Sequence, residues 1–202
     1  MNRQPQVNRW AAIALLATII SGVPISSAVA EEIKIGQTMP YSGPLSAVGT
    51  IGTAHSAYFE MVNAEKGGIN GKAVKLISLD DAYSPPKTLE QTRKLIGRDN
   101  VLLIFGSVGT ATNIATRKLL NDAGVPQILL TTGANGFNDP KSFKWTMPWL
   151  PSYGMEARIY GSLIKRAYAD AKIAVLYQND DYGKSYFDAL CKVTRRLTGG
   201  SG

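Results

Sequence analysis

From residue 33 onward the apolar positions alternate between strand-like and helix-like spacing. IKIGQ (33–37) reads as a first strand, followed by the loop TMPYSGPLSAVG. Ala54, Tyr58, Met61 and Val62 recur at helical spacing, which predicts a helix over 51–66 that stops at Gly67-Gly68. KAVKLISLD (72–80) is a second strand. Pro85 and Pro86 open a second helix over about 86–98, since proline is tolerated in a first turn. The unbroken apolar run Val101 to Phe105 suits a strand buried on both faces. Gly106 to Thr112 turn into a third helix that ends near Asp122, ahead of Gly124. Gln127 to Leu130 is a fourth strand, 133–140 a loop, and KWTMPWLPSY (144–153) an extended crossover. Tyr160, Leu163, Ile164 and Ala167 mark a fourth helix. KIAVLY (172–177) is expected to be another buried strand, with a last helix from about Tyr182. Strand and helix alternating over short connections imply an α/β protein, a parallel sheet with helices on both faces.

The first thirty residues follow another pattern. Arg3 and Arg9 are their only charges, Trp10 to Ile20 is almost wholly apolar, and Ala28-Val29-Ala30 precedes Glu31-Glu32. A basic start, a short apolar core and a small-x-small site predict a secretory signal peptide over 1–30. The core is too short for a membrane span, which takes about 20 residues. No stable membrane insertion is expected after cleavage.

Export changes the reading of the lone cysteine. Cys191 cannot form an internal disulfide, and no cysteine ends the leader to carry a lipid anchor. A secreted domain of this size without disulfides depends on its core and suits a bacterial periplasm. Removing the leader lowers the net charge from +7 to +5. The basic residues are scattered among acids, without the clustered stripe and interleaved aromatics that nucleic acid requires. One histidine and one cysteine leave no basis for a zinc site or a Cys-His nucleophile, so neither metal nor cofactor is expected.

In an open parallel sheet, ligands bind beyond the carboxyl ends of the strands. The segment Gly106-Ser107-Val108-Gly109-Thr110-Ala111-Thr112-Asn113 leaves a strand and enters a helix. Its small residues admit a ligand to the backbone. The first helical turn offers free N–H groups, and Thr110 and Thr112 add hydroxyls, which together suit a carboxylate. The same spacing equally fits a tight turn with a threonine N-cap. It is not a dinucleotide fingerprint, and no P-loop lysine follows. Thr131-Thr132-Gly133-Ala134-Asn135 leaves the next strand and is expected beside the first loop, offering carbonyls or the Asn135 amide to an ammonium group, or forming a simple turn. Ser42-Gly43-Pro44 is a third wall or a turn, and Tyr182 contacts ligand from a second lobe or packs. Asp80-Asp81 reads as a turn cap rather than a catalytic pair. His55 reads as exposed or structural.

In order, IKIGQTMPYSGPLSAVG, NAEKGGINGKAVKLISLDDAYSPPKTLEQTRKLI, FGSVGTATNIATRKLLNDAGVPQILLTTGAN and QNDDYGKSYFDAL resemble the type I periplasmic binding proteins of the leucine/isoleucine/valine class, receptors of ABC importers. The resemblance runs from about Ile33 to Ala189. It implies two Rossmann-like lobes closing on a small-molecule ligand, an amino acid or similar, and docking on a membrane permease. It implies that Gly109, Thr110 and Ala111 hold the ligand carboxylate, and that Gly133, Ala134 and Asn135 help hold its amino group. Val48 stands where such receptors often have an aromatic, which leaves the ligand open. The implied organisation is a leader (1–30), a ligand-binding lobe (31–148), a hinge crossover and start of a second lobe (149–190), and a tail (191–202) that departs from the family. Two full lobes need roughly 300 residues, so the chain is expected to be truncated, with lobe one folding and ligand affinity weak or lost. The rival expectations are the sensory domain of a receptor or regulator, and a secreted α/β enzyme using the Gly106–Asn113 loop on a phosphate.

Overall fold

The computed structural model describes residues 32–198. The leader expected over 1–30 lies outside the described residues. Strands β1 (Ile33–Met39), β2 (Val74–Asp80), β3 (Leu103–Phe105), β4 (Gln127–Leu130) and β5 (Thr146–Pro148) form one sheet in the order β2-β1-β3-β4-β5. Every pairing is parallel. The helices are α1 (Thr50–Lys66), α2 (Pro85–Gly97), α3 (Thr110–Asp122), α4 (Tyr153–Ala167) and α5 (Asp181–Thr198).

Two apolar layers hold helices against the sheet. On one face, Leu95 of α2 and Leu120 of α3 pack with Val101, Ile104, Ile77 and Leu79. On the other, Phe59 of α1 packs with Ile35, Val74, Leu76, Leu103 and Phe105. Helices therefore lie on both faces, as the alternation predicts. Gly36 makes the close approach possible. A Cβ there would stand 2.8 Å from Ile104 Cδ1 and 3.2 Å from Leu95 Cδ1.

The helix ends follow the local signals. α1 stops at Gly67, which is left-handed at φ 65°; its N–H donates to Asn63 O, and Gly68 N–H donates to Val62 O. The Asn63 amide then brackets Val74, donating to its carbonyl and accepting from its N–H, both at 2.8 Å. This pins the end of α1 to the start of β2.

Four expectations need correction. The extended crossover 144–153 contains β5, a fifth sheet strand paired with β4. β3 spans three residues, and Leu102 is exposed rather than buried between layers. The apolar stripes are misphased. α1 buries Gly52, Phe59 and Val62 while Tyr58 and Met61 face out. α4 buries Gly154, Ala157 and Gly161 while Tyr160 and Leu163 face out. Small residues win on α4 because α5 sits against it: a Cβ on Gly161 would stand 3.0 Å from Val193. The fourth correction is KIAVLY. Residues 172–177 join no ladder, and Leu176 is fully exposed. Strand composition needs a neighbouring strand to satisfy its N–H and C=O groups, and no described strand runs beside it.

Candidate functional site

The loops that follow β2, β1, β3 and β4 emerge side by side from the carboxyl edge of the sheet. α1 packs on one face after β1 and α3 on the other after β3, which makes the β1/β3 boundary the switch point, where open α/β sheets bind ligands. The seam is hydrogen-bonded. Thr38 N–H and its hydroxyl both donate to Ser107 Oγ, each at 3.2 Å. On the far side of β3, Thr131 N–H donates to Ser107 O at 3.0 Å, and Gly109 N–H to Thr131 O at 3.3 Å. Val108 and Thr131 form a parallel bridge, and the Thr110 and Thr132 hydroxyls meet at 2.7 Å. The two loops singled out in the sequence are thus in contact.

Gly109 precedes α3 with φ 107° and ψ 150°, a conformation open to glycine. No side chain caps the helix, and its first turn carries no acid. The N–H groups of that turn keep their partial positive charge. The hydroxyls expected to assist them are committed elsewhere. Thr110 pairs with Thr132, and Thr112 donates to Val108 O at 2.7 Å. The groups of this turn left without a hydroxyl's help are backbone N–H groups. Asn113 braces the turn, donating to Ser107 O at 3.0 Å and Gly109 O at 2.6 Å, and accepting from the buried Gln127 amide at 3.0 Å. Ala111 is half-buried.

In the neighbouring loop, Gly133 and Ala134 are buried and Asn135 is exposed. Ala134 N–H donates to Thr132 Oγ1 at 3.2 Å. Gly133 O accepts from Tyr153 N–H at 2.7 Å, and a Cβ on Gly133 would collide with Pro151 O. Asn135 Oδ1 accepts from Gly154 N–H, and Asn135 N–H donates to Ser185 Oγ at 3.4 Å. This loop therefore ties the sheet to both α4 and α5.

The remaining candidates are more dispersed. Ser42 is exposed and bound to Asp80, its N–H at 3.0 Å and its hydroxyl at 2.6 Å. Val48 is half-buried in a 3-10 turn, Ser46–Gly49. Tyr182 stands edge-on to Tyr153, centroids 5.1 Å apart, at the start of α5. An apolar cavity of about 580 Å³ beneath it is lined by Ala157, Ile164, Ile173, Val175 and Tyr186.

Asp80 and Asp81 act as turn braces. Asp80 also accepts from Ala82 N–H at 3.0 Å and Lys87 Nζ at 2.8 Å. Burial works against its charge, but donation from Lys87, Ser42 and Ala82 outweighs it and holds the carboxyl well below the usual range. Asp81 is buried and accepts from Tyr83 N–H at 2.9 Å and Thr88 Oγ1 at 3.0 Å; burial pushes its carboxyl up. His55 is half-buried beside Phe105, its Nδ1 2.8 Å from Gln37 Nε2. Burial lowers its pKa. Among the described residues, no cluster of three His, Cys, Asp or Glu could hold a metal.

Tyr83 and Tyr153 were missed by the sequence reading. Both border the candidate loops: Tyr83 packs on Gly109 and Tyr153 on Gly133. Tyr83 follows β2 at the same edge, so its position beyond a strand end is the sequence signal that marks it.

An open parallel sheet whose strand-end loops meet at its switch point defines a doubly wound α/β fold. Residues 32–200 match the periplasmic binding protein family, and the chain belongs to that family. It is 29% identical over 180 residues to Leu/Ile/Val-binding protein homolog 7 of Brucella abortus, which covers 85% of this chain and 45% of the relative. It is 27% identical to a leucine-, isoleucine-, valine-, threonine-, and alanine-binding protein of Pseudomonas aeruginosa, over 83% of this chain and 44% of that one. Among solved structures, a possible leucine/isoleucine/valine-binding protein from Rhodopirellula baltica superposes with a TM-score of 0.74 at 27% identity, covering 85% of this chain and 46% of the other. The chain spans about half the length of the curated relatives it matches. Among the described residues, no helix is long and apolar enough to cross a membrane.

Proposed function

We propose that the chain binds a small carboxylate-bearing solute, an amino acid or a close relative, as the periplasmic receptor of an ABC importer. One observation carries this reading: the uncapped N-terminus of α3 lies against the Thr131–Asn135 loop, bridged at Val108 and Thr131 and joined at Thr110 and Thr132. Backbone N–H groups of Thr110, Ala111 and Thr112 receive the carboxylate, with Gly109 opening the turn while its own N–H is held by Thr131 O. Gly133, Ala134 and Asn135 border the amino group, with Ser42, Val48 and Tyr182 forming outer walls. Residues 31–148 act as the ligand-binding lobe, and 149–190 as the crossover into a second lobe. A membrane permease is the downstream partner, reached by a soluble receptor after leader cleavage. The names of the relatives, a Leu/Ile/Val-binding protein homolog and a leucine-, isoleucine-, valine-, threonine-, and alanine-binding protein, support this ligand class.

Thermal unfolding with added solute tests the proposal. At ten times its dissociation constant, a ligand bound only by the folded chain stabilises it by about 1.4 kcal/mol. L-leucine or L-valine should raise the melting temperature, while isobutylamine, which lacks the carboxylate, should leave it unchanged. Equal shifts from both, or none from any amino acid at tens of millimolar, the weak regime expected of one lobe with an incomplete second, would refute the assignment.

A further inference from the structure

The turn after β2 carries two consecutive non-glycine residues in left-handed conformation, Ala82 at φ 50° and Tyr83 at φ 58°. Such backbone is sparsely populated by side-chain-bearing residues and persists where its surroundings hold it. Here Asp80 accepts from Ala82 N–H, and Asp81 accepts from Tyr83 N–H. The result is an aromatic ring laid on the turn that opens α3. A Cβ added to Gly109 would lie 2.5 Å from Tyr83 Cε2 and 3.3 Å from its Cδ2. The phenol is half-buried, with Gln178 and Asp180, which lie beyond the crossover, beside it.

We propose that Tyr83 is a specificity-determining residue of the candidate site, its ring forming the wall over the Gly109–Thr112 turn and limiting the bulk admitted next to the bound carboxylate. This inference rests on the binding reading above. The strained turn fixes the ring from the side of β2, and the absence of a Cβ at Gly109 gives it room to lie close. A ligand whose carboxylate reaches the first turn of α3 must place its α-substituent against this ring.

The test compares the wild-type chain with Tyr83→Gly and Tyr83→Phe. Tyr83→Gly removes the ring and also relieves the left-handed backbone, so the turn itself is not a cause of misfolding. Tyr83→Phe keeps the ring. Amide hydrogen exchange is followed at residues 110–112, and affinities for L-alanine and L-phenylalanine are measured by calorimetry. Tyr83→Gly should speed exchange at 110–112 severalfold and shift the affinity ratio toward L-phenylalanine. Tyr83→Phe should change neither. Unchanged exchange in Tyr83→Gly, or an unaltered affinity ratio in a chain that binds both amino acids, overturns the proposal. If no variant binds an amino acid but exchange still accelerates, the binding reading fails and with it the role of Tyr83 in specificity.

Discussion

Asn113 donates to the Ser107 and Gly109 carbonyls and accepts from Gln127, so β3, the α3 turn and β4 all hang on one buried amide. Asn113→Ala removes these three hydrogen bonds together, while Ser107 O keeps Thr131 N–H and Gln127 Nε2 keeps Thr116 Oγ1. Each lost bond is worth about 0.5–1.5 kcal/mol, and the variant should lose about 2–4 kcal/mol of stability in urea unfolding. A loss below 0.5 kcal/mol would mean the brace is dispensable. His55 makes a pH-dependent prediction. Its Nδ1 faces the Gln37 amide nitrogen, which also lies 3.0 Å from Phe105 O as donor, so the ring is neutral with Nδ1 accepting. Burial holds its folded pKa below 6.5, while the unfolded chain takes up a proton near that value. The unfolded state thus binds more protons, and the contribution of His55 is complete above 6.5 and shrinks as pH falls below it. Urea midpoints at pH 7.5 and 5.5 should differ in that direction, and His55→Gln should reduce the difference. The depressed Asp80 acts in a lower window, its stabilisation being lost as pH falls below 3.8.

Each helix end tests a local rule in isolation. A Cβ on Gly67 would meet nothing within 4 Å, so its left-handed φ is the whole constraint. Gly67→Ala should therefore cost about 1 kcal/mol, read as a lowered urea midpoint, with the helical circular dichroism of the folded state retained. Gly161 is a packing constraint instead, because α5 stands where its side chain would go. The segment 172–177 has strand composition without strand partners. Its amides should exchange with solvent far faster than those of β1, which is bonded on both sides by β2 and β3. Comparable protection in the two segments would contradict the described structure.

Across the whole molecule, the decisive contact joins loops 22 residues apart in sequence at Thr110 and Thr132. A double-mutant cycle with Thr110→Val and Thr132→Val should return a coupling of about 0.5–1.5 kcal/mol. Additive effects would mean the hydroxyl pair contributes nothing to holding the site together. The meeting of these two candidate loops was legible beforehand. Gly109 to Thr112 and Gly133 to Asn135 follow apolar runs and precede helical or turn residues, so strand-end logic finds them. What those side chains do was less legible. Thr112 turns to its own helix start, and Tyr83 reaches Gly109 from a different strand end. A hydroxyl or ring has several partners within reach, and sequence spacing does not rank them.

The chain's own residues determined the alternation of strand and helix, the glycine stop of α1, the proline start of α2 and the small-residue turn into α3. These depend on backbone preferences acting over a few neighbours. Tertiary structure alone decided the order β2-β1-β3-β4-β5, the recruitment of β5, the faces that α1 and α4 bury, the unpaired state of KIAVLY and the laying of Tyr83 on Gly109. Each of these depends on a partner distant in sequence, whose approach is set by packing across the sheet and between helices rather than by any local preference.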